Sequence, residues 1–578
     1  MIDLSRDELI TPLGLSRLKD SYMLPSENSP QERFMYVARA FQSNEEHGNR
    51  IYDYASKLWL SFASPILAHG RGGLPISCFL PYLPDTRRGL VDTSTECRWL
   101  SMAGGGIGLG VGIRGADNKS TGVMPHLKTY DADSLAYKQA EVRRGSIAAY
   151  LDLDHPDIQQ FIAMRRPSGG DPNQKALNLH HGVNIPDRFM KIIEDQINGI
   201  SKYDDWHLID PHNKQIKETI SARGLWISLL ETRAETGEPM IHFIDRSNDH
   251  LPIWLKKLGM SVKQSNLCSE ITLPTDEEHT AVCCLSSLNL EYYDDWKHNE
   301  LFVRDVLEFL DNVLEYFCTN AGPEYSRAIR SASHSRDVGL GALGFHALLQ
   351  KKGIPFESAL GISINRRIFS EIKTAVEKAN LQLGAERGEA PYAVGTGRRF
   401  SHTMAIAPNA TSSIIVGNTS PSIEPFRANA YRQDTLSGSM LAKNKYLEKV
   451  LDQYGENTAK VWSSIISNKG SVQHLEFLND YEKAVFRTAL EIDQRWIIEY
   501  AATRAEFIDQ AQSTNLFFFA DAHVSYVHQV HFDAWKKGLK TLYYYRSEKI
   551  KQVDSVGTKT ERIIIKPTTE AECLSCEG

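Results

Sequence analysis

Apolar positions along the chain keep two different rhythms. Val303, Val306, Leu307, Leu310, Val313, Leu314 and Phe317 recur at i, i+3, i+4 and i+7, so the spacing predicts a helix over 302–318. Ser29-Pro30-Gln31-Glu32 reads as a capping box with proline at the first helical position, and Phe34, Val37, Ala38 and Phe41 follow at helical spacing. Asn479 or Asp480 is expected to cap another helix carrying Val485, Ala489, Ile492, Trp496 and Ile497. Elsewhere the apolar residues come in short unbroken runs: Met404-Ala405-Ile406, Ile414-Ile415-Val416, Leu516-Phe517-Phe518-Phe519 and Leu542-Tyr543-Tyr544-Tyr545. Such runs read as buried strands, and buried strands between amphipathic helices predict an α/β architecture. Three regions follow: a helical stretch over 1–73, an α/β body over 74–550, and a polar tail over 551–578.

Composition narrows the class. In 578 residues, 42% hydrophobic and 24% charged, there is material for a large core. The 65 basic and 72 acidic residues leave a net charge of −7 with no strongly basic block, which disfavours nucleic acid as a partner. The acidic N-terminus does not resemble a secretory signal. No run approaches the ~18 apolar residues that would span a bilayer, so no membrane partner is expected. Eight cysteines are too sparse for a disulfide-stapled scaffold, and the expectation is a cytoplasmic protein with reduced thiols.

One pattern is a decoy. Gly110-Val111-Gly112-Ile113-Arg114-Gly115 satisfies G-x-G-x-x-G, but no βαβ unit with a correctly spaced acid surrounds it, as a dinucleotide fold requires. The wider cluster from Gly104 to Gly110 is better read as a place where backbone approaches other backbone closely. No Walker motif and no H-E-x-x-H pair occurs.

The candidate chemistry begins at Asn266-Leu267-Cys268-Ser269-Glu270, where Asn, Cys and Glu alternate and would share one side of an extended segment. Alone this could be a loop cysteine among polar neighbours. Ser64-Pro65, Ser77-Cys78, Ile107-Gly108, Cys283, Pro408-Asn409-Ala410-Thr411-Ser412, Leu542-Tyr543-Tyr544 and Cys573-Leu574-Ser575-Cys576 accompany it. In this order they make nearly the whole chain resemble the large (α) subunit of class I ribonucleotide reductase.

The resemblance implies a ten-stranded α/β barrel that reduces ribonucleoside diphosphates to 2′-deoxyribonucleoside diphosphates. Cys268 matches the thiyl-radical cysteine that removes the 3′ hydrogen. Glu270 matches the general base for the 3′-OH, and Asn266 the residue that orients the sugar. Cys78 and Cys283 match the pair that is oxidised to a disulfide, with Cys284 a rival for the second place. Tyr543 and Tyr544 match a stacked pair that carries the radical in from a separate β subunit. The bland alternative is an aromatic core strand that Tyr545 would extend. Neighbours in a regular strand point to opposite faces, so a stacked pair predicts a local break in strand geometry. Pro408, Asn409, Ala410, Thr411 and Ser412, at an expected helix start, suit a diphosphate, although such a segment alone is more often a plain turn. Ser64 and Ser77 match further substrate contacts.

The tail dithiol Cys573/Cys576 matches the pair that re-reduces the active-site disulfide and is itself reduced by thioredoxin or glutaredoxin. In the family a dNTP effector, and ATP, bind at the interface of an α homodimer and select the substrate. Asp85 and Arg114 match effector contacts; loop 1 falls near 115–123 and loop 2 near 139–146, with Arg143 and Arg144 aimed at the substrate base. No metal is expected on this chain, the radical coming from the metallo-cofactor of the β subunit. About thirty residues precede the Ser29 helix, too few for the ATP-binding cone of many relatives. No cone-mediated dATP shut-off is therefore expected, which would suit a virus acting in the host cytoplasm. Two rivals stand beside this reading: a cobalamin-dependent class II enzyme, and a homologue that binds nucleotides without reducing them.

Overall fold

The computed structural model describes residues 2–139, 143–144, 146–435 and 438–547. Helices Pro12–Ser21, Pro30–Ala40 and Glu45–Ser56 open the chain. Ser29 caps the second of these, but its hydroxyl accepts from the Gln31 N–H while Glu32 reaches back to the Asn28 N–H, so the expected reciprocal box is not closed. The first strand already lies in this helical stretch.

Ten strands form the central sheet: β1 (Leu60–Phe62), β2 (Cys78–Leu80), β3 (Tyr82–Pro84), β4 (Gly106–Gly112), β5 (Ile147–Asp152), β6 (His180–Ile185), β7 (Met240–Phe243), β8 (Ala281–Asn289), β9 (Val338–Leu343) and β10 (Thr541–Leu542). Their order is β1-β8-β2-β4-β5-β6-β7-β10, with β9 on β8 and β3 on β4. From β2 to β7 neighbours run parallel, whereas β8 meets β2 antiparallel and β10 meets β7 antiparallel. Two half-barrels of opposite direction are thus joined at β2/β8. They approach each other again through single bridges, Leu340 to Met404 and Ile406 to Gln512. The Thr541 hydroxyl then donates to the Gln512 carbonyl at 3.0 Å, next to β10. The ten-stranded α/β barrel is the fold, and its parallel strands are buried on both faces.

Helix 302–318 is observed as Phe302–Asn320, its apolar stripe buried. Further expectations change. Ile414-Ile415-Val416 is not a strand: the helix Ala410–Ile415 runs through it, packed so closely on the first helix that a Cβ on Gly14 would lie 2.9 Å from the Ile414 carbonyl oxygen. Tertiary packing overrides the β preference of a short β-branched run. The helix expected after Asn479 is two. A capping box of Asn479 and Glu482 starts Asp480–Val485, the chain then turns so that the Ala489 N–H donates to the Phe426 carbonyl, and Asp493 caps a second helix, Gln494–Ala505.

Candidate active site

The polypeptide between β7 and β8 runs through the barrel and places Cys268, fully buried, on a tight turn. The segment is not extended, so alternation is not what gathers Asn266 and Glu270. The Asn266 Oδ1 accepts the N–H groups of Glu270 (3.0 Å) and Ile271 (3.1 Å), and Ser269 takes a left-handed φ of 66°. This asparagine is a local staple of the kind that competes with regular structure. Opposite the turn lies the glycine-rich β4. A Cβ on Gly108 would stand 2.3 Å from the Ser265 carbonyl oxygen, so the glycines provide the close backbone approach expected of them.

Cys78 and Cys283 are direct partners in the β2/β8 ladder. A facing antiparallel pair brings Cα atoms to about 4.5–5.5 Å, inside the span a disulfide bridges, and both cysteines are present as thiols. Burial pushes the Cys283 thiol well above its usual range. Cys284 points to the other face of β8, also pushed up by burial. The Asn266 Nδ2 donates to the Cys78 Sγ at 3.1 Å, linking the turn to the thiol pair.

On the other side of the turn, the Tyr543 hydroxyl donates to the Cys268 Sγ at 3.4 Å. Tyr543 and Tyr544 have ring centroids 4.0 Å apart at 39°; the pairing with β7 stops at Leu542, and a separate ladder with Leu516–Phe518 begins at Tyr545. The expected break in strand geometry is there. Burial drives the Tyr544 phenol well above its usual range. Its hydroxyl meets the His180 Nδ1 at 3.2 Å, and that nitrogen lies 2.6 Å from the Glu238 Oε1. Burial works to raise the Glu238 carboxyl, but Arg165 and the two histidines at its oxygens hold it well below the carboxylate range.

The polar segment Pro408–Ser412 lies at the start of the helix Ala410–Ile415. Asn409 sits in left-handed conformation and donates from Nδ2 to the Ser287 hydroxyl at 2.9 Å. Ser287 is on the same face of β8 as Cys283. Thr411 and Ser412 are buried, as is Ser77, which precedes Cys78. Ser64 begins its short helix with its hydroxyl 2.8 Å from that of Tyr22.

Sequence reasoning missed the segment 510–515. The Gln510 Nε2 lies 3.9 Å from the Cys283 Sγ, and the Ala511 N–H donates to the Glu270 carbonyl. The Ser513 hydroxyl lies 2.6 Å from the Cys268 carbonyl and 3.0 Å from the Glu270 Oε2. Further along, the Thr514 carbonyl accepts from the Tyr543 N–H, and the Asn515 Oδ1 from the Tyr544 N–H. Lys540, which burial pulls down to about 8, donates to the Asp509 and Gln510 carbonyls at 2.6 and 2.7 Å. No motif marks this run. Its only signal is a stretch of small polar residues just before an apolar strand.

Away from the turn, Arg114 and Asp85 pair with each other at 2.7 Å, with the His212 ring 3.4 Å from each. Arg143 and Arg144 pair with Gln139 and Lys138 in a two-residue ladder; their side chains, like Cys573 and Cys576, lie outside the described residues. His47, Asp305 and Glu308 come within metal-binding reach of one another. They are already engaged: the His47 Nδ1 accepts from the Ser43 N–H, Arg50 grips Asp305 at 2.7 and 2.9 Å, and Arg304 holds Glu308 at 2.8 Å.

Comparison with known proteins fits this geometry. The family described as "Ribonucleotide reductase, barrel domain" matches residues 76–395 and 392–545, and "Ribonucleotide reductase, all-alpha domain" matches residues 8–74. The chain belongs to the ribonucleotide reductase large-subunit family. It is 53% identical to the ribonucleoside-diphosphate reductase large subunit of Invertebrate iridescent virus 3, with 100% of each chain covered. It is 47% identical to a putative ribonucleoside-diphosphate reductase large subunit of Frog virus 3 (isolate Goorha), over 92% of this chain and 93% of that one. Among solved structures, the Actinobacillus ureae class Id ribonucleotide reductase alpha subunit superposes with a TM-score of 0.82 at 34% identity, covering 94% of this chain and 98% of its own. Membership of this reductase family makes the chain an oxidoreductase. No helix among the described residues is long and apolar enough to cross a membrane.

Proposed function

We propose that the chain reduces ribonucleoside diphosphates by thiyl-radical chemistry, with Cys268 as the radical centre. One juxtaposition carries the reading: the Cys268 sulfur meets the Tyr543 hydroxyl at 3.4 Å, and the same turn reaches the Cys78 sulfur through Asn266 at 3.1 Å. A radical arriving along Tyr544 and Tyr543 leaves Cys268 as a thiyl, which takes the 3′ hydrogen atom. Glu270 accepts the 3′-OH proton while Asn266 orients the sugar. The 2′-OH departs as water with a proton from one of the two facing thiols. Cys78 and Cys283 supply two electrons, give the second thiol hydrogen to C2′ and close to a disulfide; Glu270 returns its proton to the 3′ oxygen and the hydrogen atom returns from Cys268 to C3′. The diphosphate lies on Pro408, Asn409, Ala410, Thr411 and Ser412, whose backbone opens a helix, with Ser64 and Ser77 beside it.

The radical comes from the metallo-cofactor of a small (β) subunit. The apolar groove between helices Asp187–Ile197, Ala222–Thr236 and Val524–Lys536, about 630 Å³ and lined by Tyr545, supports docking at the Tyr544 end of the path. Cys573 and Cys576 re-reduce the disulfide and hand the electrons on to thioredoxin or glutaredoxin. A dNTP or ATP effector, with Mg²⁺ on its phosphates, binds at Asp85 and Arg114, with Arg143 and Arg144 reaching toward the substrate base. An α homodimer is supported by exposed Val91, Trp99 and Met102 on the helix Arg87–Ala103 and by Leu135 on Val123–Ala136.

The thiol assignment has a direct test. Cys283→Ser should lose dithiol-driven turnover, while Cys284→Ser should keep it to within about threefold. Equal loss in both variants would refute the pairing.

A further inference from the structure

We infer that Ser513 is a positioning residue that tunes Glu270 as a base and ties its protonation to the Cys268 turn. The inference rests on the reading of Glu270 given above. The Ser513 hydroxyl is fully buried and has one proton for two oxygens, the Cys268 carbonyl at 2.6 Å and the Glu270 Oε2 at 3.0 Å. While Glu270 is a carboxylate, both oxygens are acceptors and the single Ser513 proton can serve only one of them. Once Glu270 holds the 3′-OH proton, its O–H donates to the Ser513 Oγ and the Ser513 O–H donates to the Cys268 carbonyl. Both contacts are then satisfied. Hydrogen bonding that completes only with the neutral acid favours that form, so Ser513 makes Glu270 a stronger base. No bond to Ser513 forms or breaks; the proton taken from the 3′-OH rests on Glu270 until it returns to the 3′ oxygen.

The placement is rigid. The Ser513 N–H donates to the Ile406 carbonyl and the Ala511 N–H to the Glu270 carbonyl, both at 2.9 Å. The other ionisable groups facing Glu270 are Cys268 on its own turn, Cys283 on β8, Tyr150 on β5 and, across Cys268, Tyr543. Burial pushes Cys283 and Tyr150 upward, so neither ionises where a carboxylate does.

The sign of the test follows. A base must be ionised to act, so turnover rises with pH through the Glu270 pKa. Removing a group that favours the protonated form lowers that pKa. In the chain assembled with its small subunit, Ser513→Ala is expected to move the acid limb of the kcat profile down by about one pH unit. Plateau kcat should fall about tenfold, and the 3′-deuterium isotope effect on kcat/KM should rise as 3′-hydrogen removal becomes slower. Ser513→Thr, which keeps the hydroxyl, should restore the limb. If Ser513 only supports the loop, kcat falls while the limb and the isotope effect stay at wild-type values, and the inference is overturned. Glu270→Gln separates the two levels. Retained turnover in that variant defeats the general-base reading itself, whereas an inactive Glu270→Gln beside an unshifted Ser513→Ala defeats only the role of Ser513.

Discussion

At the centre of the barrel, the Cys268 turn is touched from every side. Tyr543 meets its sulfur, Ser513 its carbonyl, Asn266 closes its backbone, and β4 lies against it with no Cβ between. On the outer face, Asp85 and Arg114 touch each other and His212 at a partly exposed site. The contrast separates two uses of polar groups. In the interior, hydrogen bonds from distant segments over-determine one geometry, as the proposed radical transfer between fixed atoms requires. Outside, one salt bridge worth about 0–1 kcal/mol holds charges that a ligand can take over at little cost.

The contrast can be broken at three places. Tyr543→Phe keeps the ring stack but removes the hydroxyl that meets Cys268. It should cut turnover by about three orders of magnitude or more while leaving nucleoside diphosphate affinity unchanged, as read by steady-state assay and calorimetry. Gly108→Ala forces a Cβ into the Ser265 carbonyl. A stability loss of about 1–3 kcal/mol in chemical denaturation, with reduced kcat, is expected; a variant of wild-type stability and rate would mean that the turn is not clamped. Arg114→Ala should change global stability by no more than about 1 kcal/mol. Basal reduction should stay within about threefold, while the response to added dNTP is lost. Loss of basal activity would place Arg114 in the core machinery instead.

Much of the interior was legible in sequence because the chemistry limits residue types. A thiol between an amide and a carboxylate, two more cysteines and a tyrosine pair can be read at fixed positions. Their arrangement was less legible. Alternation at 266, 268 and 270 would gather the three side chains only in an extended segment, but Asn266 folds it into a turn by accepting two backbone N–H groups. Cys283 and Cys284 are chemically equivalent neighbours; the family resemblance favoured Cys283, and the ladder that sets it against Cys78 supplies the physical reason. Ser513 was invisible, because its meaning comes from residues some 245 positions away. The pairing of Asp85 with Arg114 was hidden for the same reason, each having been read as a separate ligand contact. Among secondary elements, the long amphipathic helix at Phe302–Asn320 was plain, whereas the short run at Ile414–Val416 took its conformation from the helix it packs on.

The central claim is that this chain uses Cys268 chemistry driven by a radical delivered from outside. The most direct measurement is formation of dCDP from CDP by the purified chain, with and without its small subunit, beside Cys268→Ala. The account predicts product only when wild-type chain and small subunit are present together, and none from Cys268→Ala despite an unchanged circular dichroism spectrum. Product from the chain alone with adenosylcobalamin, or from Cys268→Ala with the small subunit, would contradict it.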